Sequence, residues 1–190
     1  MGKIIEVRWH GRGGQGVVTA SELLAECALQ EGKYFQGFPE YGPERMGAPV
    51  RAFTRISESP IYVHSPVETP DVVVLLDSTL AGKVDIAEGL PDDGILVCNW
   101  NKDAETLRRL LVTERGRLFV VDATRIAIDS IGRAITNMPM MGALVRATSL
   151  VKLDTVLEKA RERFQGRLSE KLVEGNISAI KRAYEEVEER

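Results

Sequence analysis

At 190 residues, with 44% hydrophobic and 28% charged side chains, the chain is long enough for one domain that buries roughly 70% of its unfolded surface without disulfides or a structural metal, which excludes disorder and fibrous repeats. Its 25 basic residues against 28 acidic ones leave a net charge of −3, a balance that argues against a dedicated nucleic-acid binder, whose basic face displaces many counterions. The longest aliphatic run, Val72 to Leu76, is far short of a membrane span, and the opening residues hold no signal-peptide core. The Met-Gly start lacks the Ser or Thr that myristoylation wants where Glu6 stands, so no membrane contact is expected and the cytoplasm is the expected compartment.

In chain order, β-rich runs alternate with helical patterns. Ile4 to Trp9 reads as a strand, Val17 to Gln30 as a helix, and Tyr34 to Phe38 and Val50 to Ile56 as two further strands. The last of these carries Arg51 and Arg55 on one face with Phe53, as expected near an edge and in an antiparallel pairing. Val72 to Leu76 and Ile95 to Cys98 are apolar without alternation, the pattern of central strands covered on both faces. Leu118 to Val121 is a further strand. From Leu153 the spacing of Leu157, Phe164, Leu168, Leu172, Ile177, Ile180 and Tyr184 predicts two amphipathic helices, with the turn at Gly166 or Gly175. The predicted fold class is α/β, with a mainly parallel sheet flanked by helices in a Rossmann-like three-layer arrangement and C-terminal amphipathic helices. We expect a single domain over residues 1–190, its α/β core ending at about residue 150 and its helical segment at about 151–190.

The strongest local signal is Gly11-Arg12-Gly13-Gly14-Gln15-Gly16, directly after a strand and before a helix, which satisfies G-x-G-x-x-G in context. Such a turn lets backbone N–H groups and the positive end of a helix dipole meet an anion, and Arg12 could add a bidentate phosphate contact. Close strand–helix packing is the competing role for these glycines. The acidic residue that would hold a dinucleotide ribose is missing from Tyr34 to Phe38, which demotes NAD, and there is no G-x-x-x-x-G-K-S/T loop. His10 is expected to orient the loop rather than to catalyse, and His64 to lie at the surface. Cys27 and Cys98 have no partner at metal-ligand spacing, so this chain's thiolates alone build neither a zinc site nor an iron–sulfur cluster. No catalytic or metal-ligating residue is expected.

Two later stretches stand out. Phe38 to Pro49 contains three prolines and two glycines around Tyr41, Glu44 and Arg45, the composition of a rigid interface or site loop. Asn137 to Ala143 holds three methionines before a helix, and on residue types alone core filling is the preferred role. Asp77-Ser78-Thr79 and Asp122-Ala123-Thr124 follow strands, at the ligand-binding edge of such a sheet or as helix N-caps.

Together, WHGRGGQGVVTASELLAE, FPEYGPERMGAPVRAF and NMPMMGA resemble the gamma subunit of the 2-oxoacid:ferredoxin oxidoreductases, most of all the pyruvate enzyme, along nearly the whole chain. The resemblance implies a multisubunit enzyme that converts pyruvate, coenzyme A and oxidised ferredoxin to acetyl-CoA, carbon dioxide and reduced ferredoxin. It implies alpha, beta and delta subunits as partners, with thiamine diphosphate, magnesium and the iron–sulfur clusters in those chains and none tightly bound by this chain alone. This chain would assist assembly and CoA binding. Carried over, Gly11, Arg12, Gly13, Gly14, Gln15 and Gly16 would form the anion-accommodating turn. Tyr41, Gly42, Pro43, Glu44 and Arg45 would line a subunit or cofactor contact, and Asn137, Pro139, Met140 and Gly142 another. The chain departs from the family pattern at Met46, where a basic residue is common, and at Met138, where Thr is. A related 2-oxoisovalerate or 2-oxoglutarate enzyme, a purely structural assembly subunit and a stand-alone nucleotide-dependent enzyme are the alternatives.

Overall fold

The computed structural model describes residues 3–40 and 47–190. Among these, one sheet contains seven strands: β1 (Ile4–Arg12), β2 (Tyr34–Pro39), β3 (Pro49–Ser57), β4 (Val72–Leu75), β5 (Ile95–Asn99), β6 (Arg117–Val121) and β7 (Glu188–Glu189). Their spatial order is β2-β3-β1-β4-β5-β6-β7. The centre, β1-β4-β5-β6, is parallel, while β3 runs antiparallel to β1, β2 to β3 and β7 to β6. The expected antiparallel setting of β3 is correct, and it lies one strand in from the edge that β2 forms.

The described residues also form six α-helices: α1 (Val17–Gln30), α2 (Ala104–Leu111), α3 (Ala123–Ile131), α4 (Asn137–Thr148), α5 (Leu153–Phe164) and α6 (Glu170–Glu186). They cover the sheet unequally. Val72 and Val74 point into a core shared with α1, α3, α4, α5 and α6, whereas Val73 and Leu75 point into a smaller core closed by α2 and the segment around Leu80, Ile86 and Leu90. That segment joins β4 to β5 without an α-helix, using one 3-10 turn at Ser78–Leu80. The second covering layer is therefore thin. The apolar run of β4 is explained by this two-sided burial, each fully buried aliphatic side chain contributing about 1.5–3 kcal/mol.

α1 is fastened to the sheet through a buried polar relay. The indole Nε1 of fully buried Trp9 donates to Thr54 Oγ1 at 3.1 Å, Thr54 Oγ1 donates to the Ser21 carbonyl at 3.0 Å, and Ser21 Oγ donates to the Phe53 carbonyl at 2.8 Å. The helical C-terminal segment shares the larger core through Val156, Ala160, Ile177, Ile180 and Ala183. Of the two glycines that could mark the turn before α6, Gly166 does so, with φ +77°. Gly175 lies inside α6, where a Cβ would stand 2.5 Å from the Ser130 carbonyl oxygen, so its role is close helix packing.

Candidate functional site

The glycine turn joins β1 to α1 at the carboxyl end of the parallel strands, where such sheets place ligands. Its glycines serve distinct purposes. A Cβ on Gly11 would lie 2.6 Å from Val17 Cγ2, so this position is needed for strand–helix packing. Gly13 is held on both sides, its N–H donating to the Ala48 carbonyl at 2.9 Å and its carbonyl accepting from Gly47 N–H at 3.2 Å. Gly14 and Gly16 have φ of +93° and +76°, the left-handed region that favours glycine. Gly14 is exposed, and Arg12, Gly13, Gln15 and Gly16 are partly so.

Arg12 acts as a strut. Its Nε stands 3.2 Å from Asp77 Oδ2, its guanidinium donates to Thr79 Oγ1 at 3.0 Å, and a third contact reaches the Gly47 carbonyl at 3.0 Å. Gln15 completes the brace: Oε1 accepts from Arg12 N–H at 2.7 Å, and Nε2 donates to Asp77 Oδ2 at 2.6 Å. Burial opposes ionisation of Asp77, but hydrogen bonds from Thr79 and Gln15 and the charge of Arg12 outweigh it and hold the carboxyl below its ordinary range. Asp77 also caps the 3-10 turn by accepting from Thr79 N–H at 2.8 Å, and Asp122 caps α3 by accepting from Arg125 N–H at 2.9 Å. The N-cap role is the observed one for both.

The methionine-rich stretch lies within α4, not ahead of it. Met138, Met140 and Met141 are fully buried in the larger core, Pro139 is buried in the first turn, and Gly142 sits where a Cβ would be 2.0 Å from the Ile180 carbonyl oxygen. Met140 and Gly142 thus serve packing, against the contact role carried over for them. Asn137 is different: its side chain lies against Gly16 of the glycine turn. The sequence motifs at 11–16 and 137 therefore meet in space. Tyr41, Gly42, Pro43, Glu44 and Arg45 lie outside the described residues.

His10 does not hold the glycine turn through its side chain. Its Nε2 accepts from Arg8 Nε at 3.1 Å, and burial, followed by the charges of Arg8 and Arg51, pushes its pKa down to about 3, so the ring is neutral. Sequence reasoning missed Arg8 itself, which is 1% exposed and donates to the carbonyls of Ile86 (3.1 Å) and Glu88, pinning the irregular β4–β5 connection to the sheet. Arg55, on the same face, does likewise for the chain after β3 by donating to Ser65 O at 2.6 Å while pairing with Glu6 at 2.7 Å. The available signal was that Arg8 shares its strand face with Glu6 and His10, between the buried Val7 and Trp9 of the other face. Burial raises the thiols of Cys27 and Cys98 to about 12, and they lie in separate cores on opposite sides of the sheet. Among the described residues, no cluster of His, Cys, Asp or Glu could hold a metal ion, and no helix is long and apolar enough to cross a membrane.

Comparison with known proteins agrees with this geometry. The family model described as pyruvate ferredoxin/flavodoxin oxidoreductase matches residues 6–186. The chain is 50% identical to the pyruvate synthase subunit PorC of Thermotoga maritima, over 97% of this chain and 95% of that one. It is 48% identical to the pyruvate/ketoisovalerate oxidoreductases common subunit gamma of Pyrococcus furiosus, over 97% and 98%. The crystal structure of the pyruvate oxidoreductase subunit PORC of Thermotoga maritima superposes with a TM-score of 0.87 at 47% identity, covering 98% of each chain. A family match over nearly the whole length, with relatives near half identity and one shared fold, establishes that the chain belongs to the pyruvate ferredoxin/flavodoxin oxidoreductase family.

Proposed function

We infer that the chain is the gamma subunit of a multisubunit pyruvate:ferredoxin oxidoreductase, or pyruvate synthase, which oxidatively decarboxylates pyruvate with CoA to acetyl-CoA, carbon dioxide and reduced ferredoxin. The observation that carries this reading is the match along 97% of the chain to a pyruvate synthase subunit. Its own side chains suit a supporting role: the one histidine near the glycine turn is neutral and buried, and both thiols are raised far above physiological pH. Two cysteines in separate cores do not fit an iron–sulfur cluster, so the clusters are assigned to partner chains, as are thiamine diphosphate and magnesium. The partners are alpha, beta and delta subunits, with ferredoxin reached through the complex, in the cytoplasm.

Within that complex this chain assists assembly and CoA binding, the glycine turn being suited to one of the coenzyme's phosphate charges. A helix-dipole interaction at a surface contributes about 0.3–1 kcal/mol, so CoA binds the isolated chain weakly and the subunit interface completes the site. Gentle purification of the tagged chain from its host, followed by mass spectrometry, tests the assignment. Stoichiometric partners carrying thiamine diphosphate and iron–sulfur clusters are expected, and a lone monomer or homo-oligomer overturns it. A substrate panel on the complex should favour pyruvate, and preference for a branched 2-oxoacid would refute the choice of substrate.

A further inference from the structure

Among the described residues no strand lies beyond β2, and its pairing with β3 decides which of its backbone groups are engaged. Glu40 N–H donates to the Arg51 carbonyl at 3.0 Å, so in this register the residues that bond to β3 are Tyr34, Gln36, Phe38 and Glu40, opposite Ser57, Arg55, Phe53 and Arg51. The N–H and C=O groups of Phe35 and Gly37 therefore point away from the sheet. Donation stops on either side of them. Lys33 N–H is taken by the Ala28 carbonyl at 2.9 Å, and Pro39 has no N–H. The open edge is thus a bounded set of two donors two residues apart, both on exposed residues.

β2 is complementary to itself. Turned antiparallel about Gln36, a second copy places Phe35 opposite the partner's Gly37, and Gly37 opposite the partner's Phe35, so both free donors of each copy meet free carbonyls. The side chains agree with this register. Phe35 and Gly37 share the face that α1 covers, where Gly37 lies against Ala25 and presents no side chain beside it; the partner's Phe35 fills that gap, the aromatic rescue of an edge glycine. On the other face Tyr34, 47% exposed, comes opposite the partner's Phe38 at a non-hydrogen-bonded site, where side chains approach most closely. Phe38 is held ready for that contact by the Phe53 ring at 5.4 Å and the Arg55 guanidinium at 5.3 Å. Charges agree too: Lys33 falls opposite the partner's Pro39 and next to the partner's Glu40, so the strand ends meet with opposite sign. A slip of two residues sets Phe35 against Phe35 or Gly37 against Gly37 and loses both side-chain complements.

We propose that β2 is the interface for a second copy of this chain, joined strand to strand in antiparallel fashion with Gln36 on the two-fold axis. The inference concerns a surface of one chain and does not rest on the function proposed above. A homodimer isolated without other polypeptides would support this pairing while refuting that function.

Disulfide mapping tests the contact and its register together. Cα atoms at a non-hydrogen-bonded antiparallel site are about 4.5 Å apart, within the span of a disulfide. Under mild oxidation Q36C is expected to link to itself, whereas Y34C and F38C do not link alone but do link to each other when mixed. The native Cys27 and Cys98 are buried and do not compete. Sedimentation of the parent is expected to show a monomer–dimer equilibrium, and hydrogen exchange to slow with concentration at the amides of Phe35 and Gly37 but not of Gln36 and Phe38. F35K sets like charges beside the axis, and G37P removes an outward donor while leaving the bonds to β3. Each should raise the dimer dissociation constant at least tenfold, with Tm measured alongside to show that the monomer still folds. V112K alters an 89% exposed apolar residue at the end of α2 and should leave dimerisation unchanged. A parent that stays monomeric at every concentration, a Q36C chain that does not link, or a loss of dimer in V112K equal to that in F35K overturns the proposal. Q36C linked to a different polypeptide in material purified from the host assigns the edge to that partner and likewise overturns it.

Discussion

Replacing Gly142 by alanine tests the crossing of α4 and α6 directly. The new Cβ would lie 2.0 Å from the Ile180 carbonyl oxygen, 2.9 Å from its carbonyl carbon and 3.2 Å from its Cα. An aliphatic carbon meets a carbonyl oxygen at about 3.3 Å or more, so the helices must part by roughly 1.3 Å. The obstacle is backbone in a helix and cannot swing aside. Overpacking of this kind costs about 1–3 kcal/mol, with rigid neighbours at the upper end, and the better helix propensity of alanine returns about 1 kcal/mol. The expected net loss is about 2 kcal/mol, which for a chain of this size lowers Tm by roughly 4–8 °C. Thermal and urea melts of the full chain measure it. G132A is the control: Gly132 has φ +71° but nothing within 4 Å of a new Cβ, so only the left-handed backbone is strained, at about 1–2 kcal/mol. A G142A protein that melts at or above the parent would refute the close crossing and the packing role given to this glycine.

Three further outcomes are expected. The folded pKa of His10, about 3, lies below its unfolded value near 6.5, so the stability it contributes is present above pH 6.5 and is lost as pH falls towards 3. H10Q should therefore lose less stability than the parent in urea melts across pH 6.5 to 5, by about 1.4 kcal/mol per pH unit at most, and parallel pH profiles would refute the buried neutral ring. T54V removes the hydroxyl that accepts from Trp9 and donates to Ser21, and should destabilise by about 1–3 kcal/mol in the same assay; a neutral effect would mean that water replaces the relay. Cys27 and Cys98 should resist iodoacetamide at pH 8 in the native protein and react after denaturation, as read by intact mass, and rapid native alkylation of either would contradict its burial.

The strands and α1 were legible because their patterns are local. Val72 to Leu76 is apolar without alternation since residues on both faces are buried, and the glycine turn announces itself by spacing. What remained hidden depends on distant partners. Pro139 reads as a helix breaker, yet it occupies the first turn of α4, where a missing N–H costs nothing, so the methionines lie inside a helix rather than before one. The β4–β5 connection follows the βα rhythm of its neighbours in sequence, but Gly82, Gly89, Pro91 and Gly94 interrupt it and Arg8 carries its fastening. Arg12 has the composition of a phosphate ligand, and only the fold shows that Asp77 holds it. The contact between Gly16 and Asn137 joins two motifs that the sequence separates by most of the chain, and no periodicity reports it.

The two ends of the sheet also differ in a way that bears on self-association. The β7 end is two acidic residues long, with Glu189 tied to Arg117 at 2.7 Å, whereas β2 offers six uncharged residues including exposed Tyr34 and Phe35. Short, charged margins repel strand addition, and longer uncharged ones admit it. A sheet that can be extended at only one margin cannot propagate: if two copies joined there, β2 to β2, each would consume the other's single open side and growth would stop at a closed pair. Strand addition at the β2 margin would thus favour a closed pair over end-to-end growth.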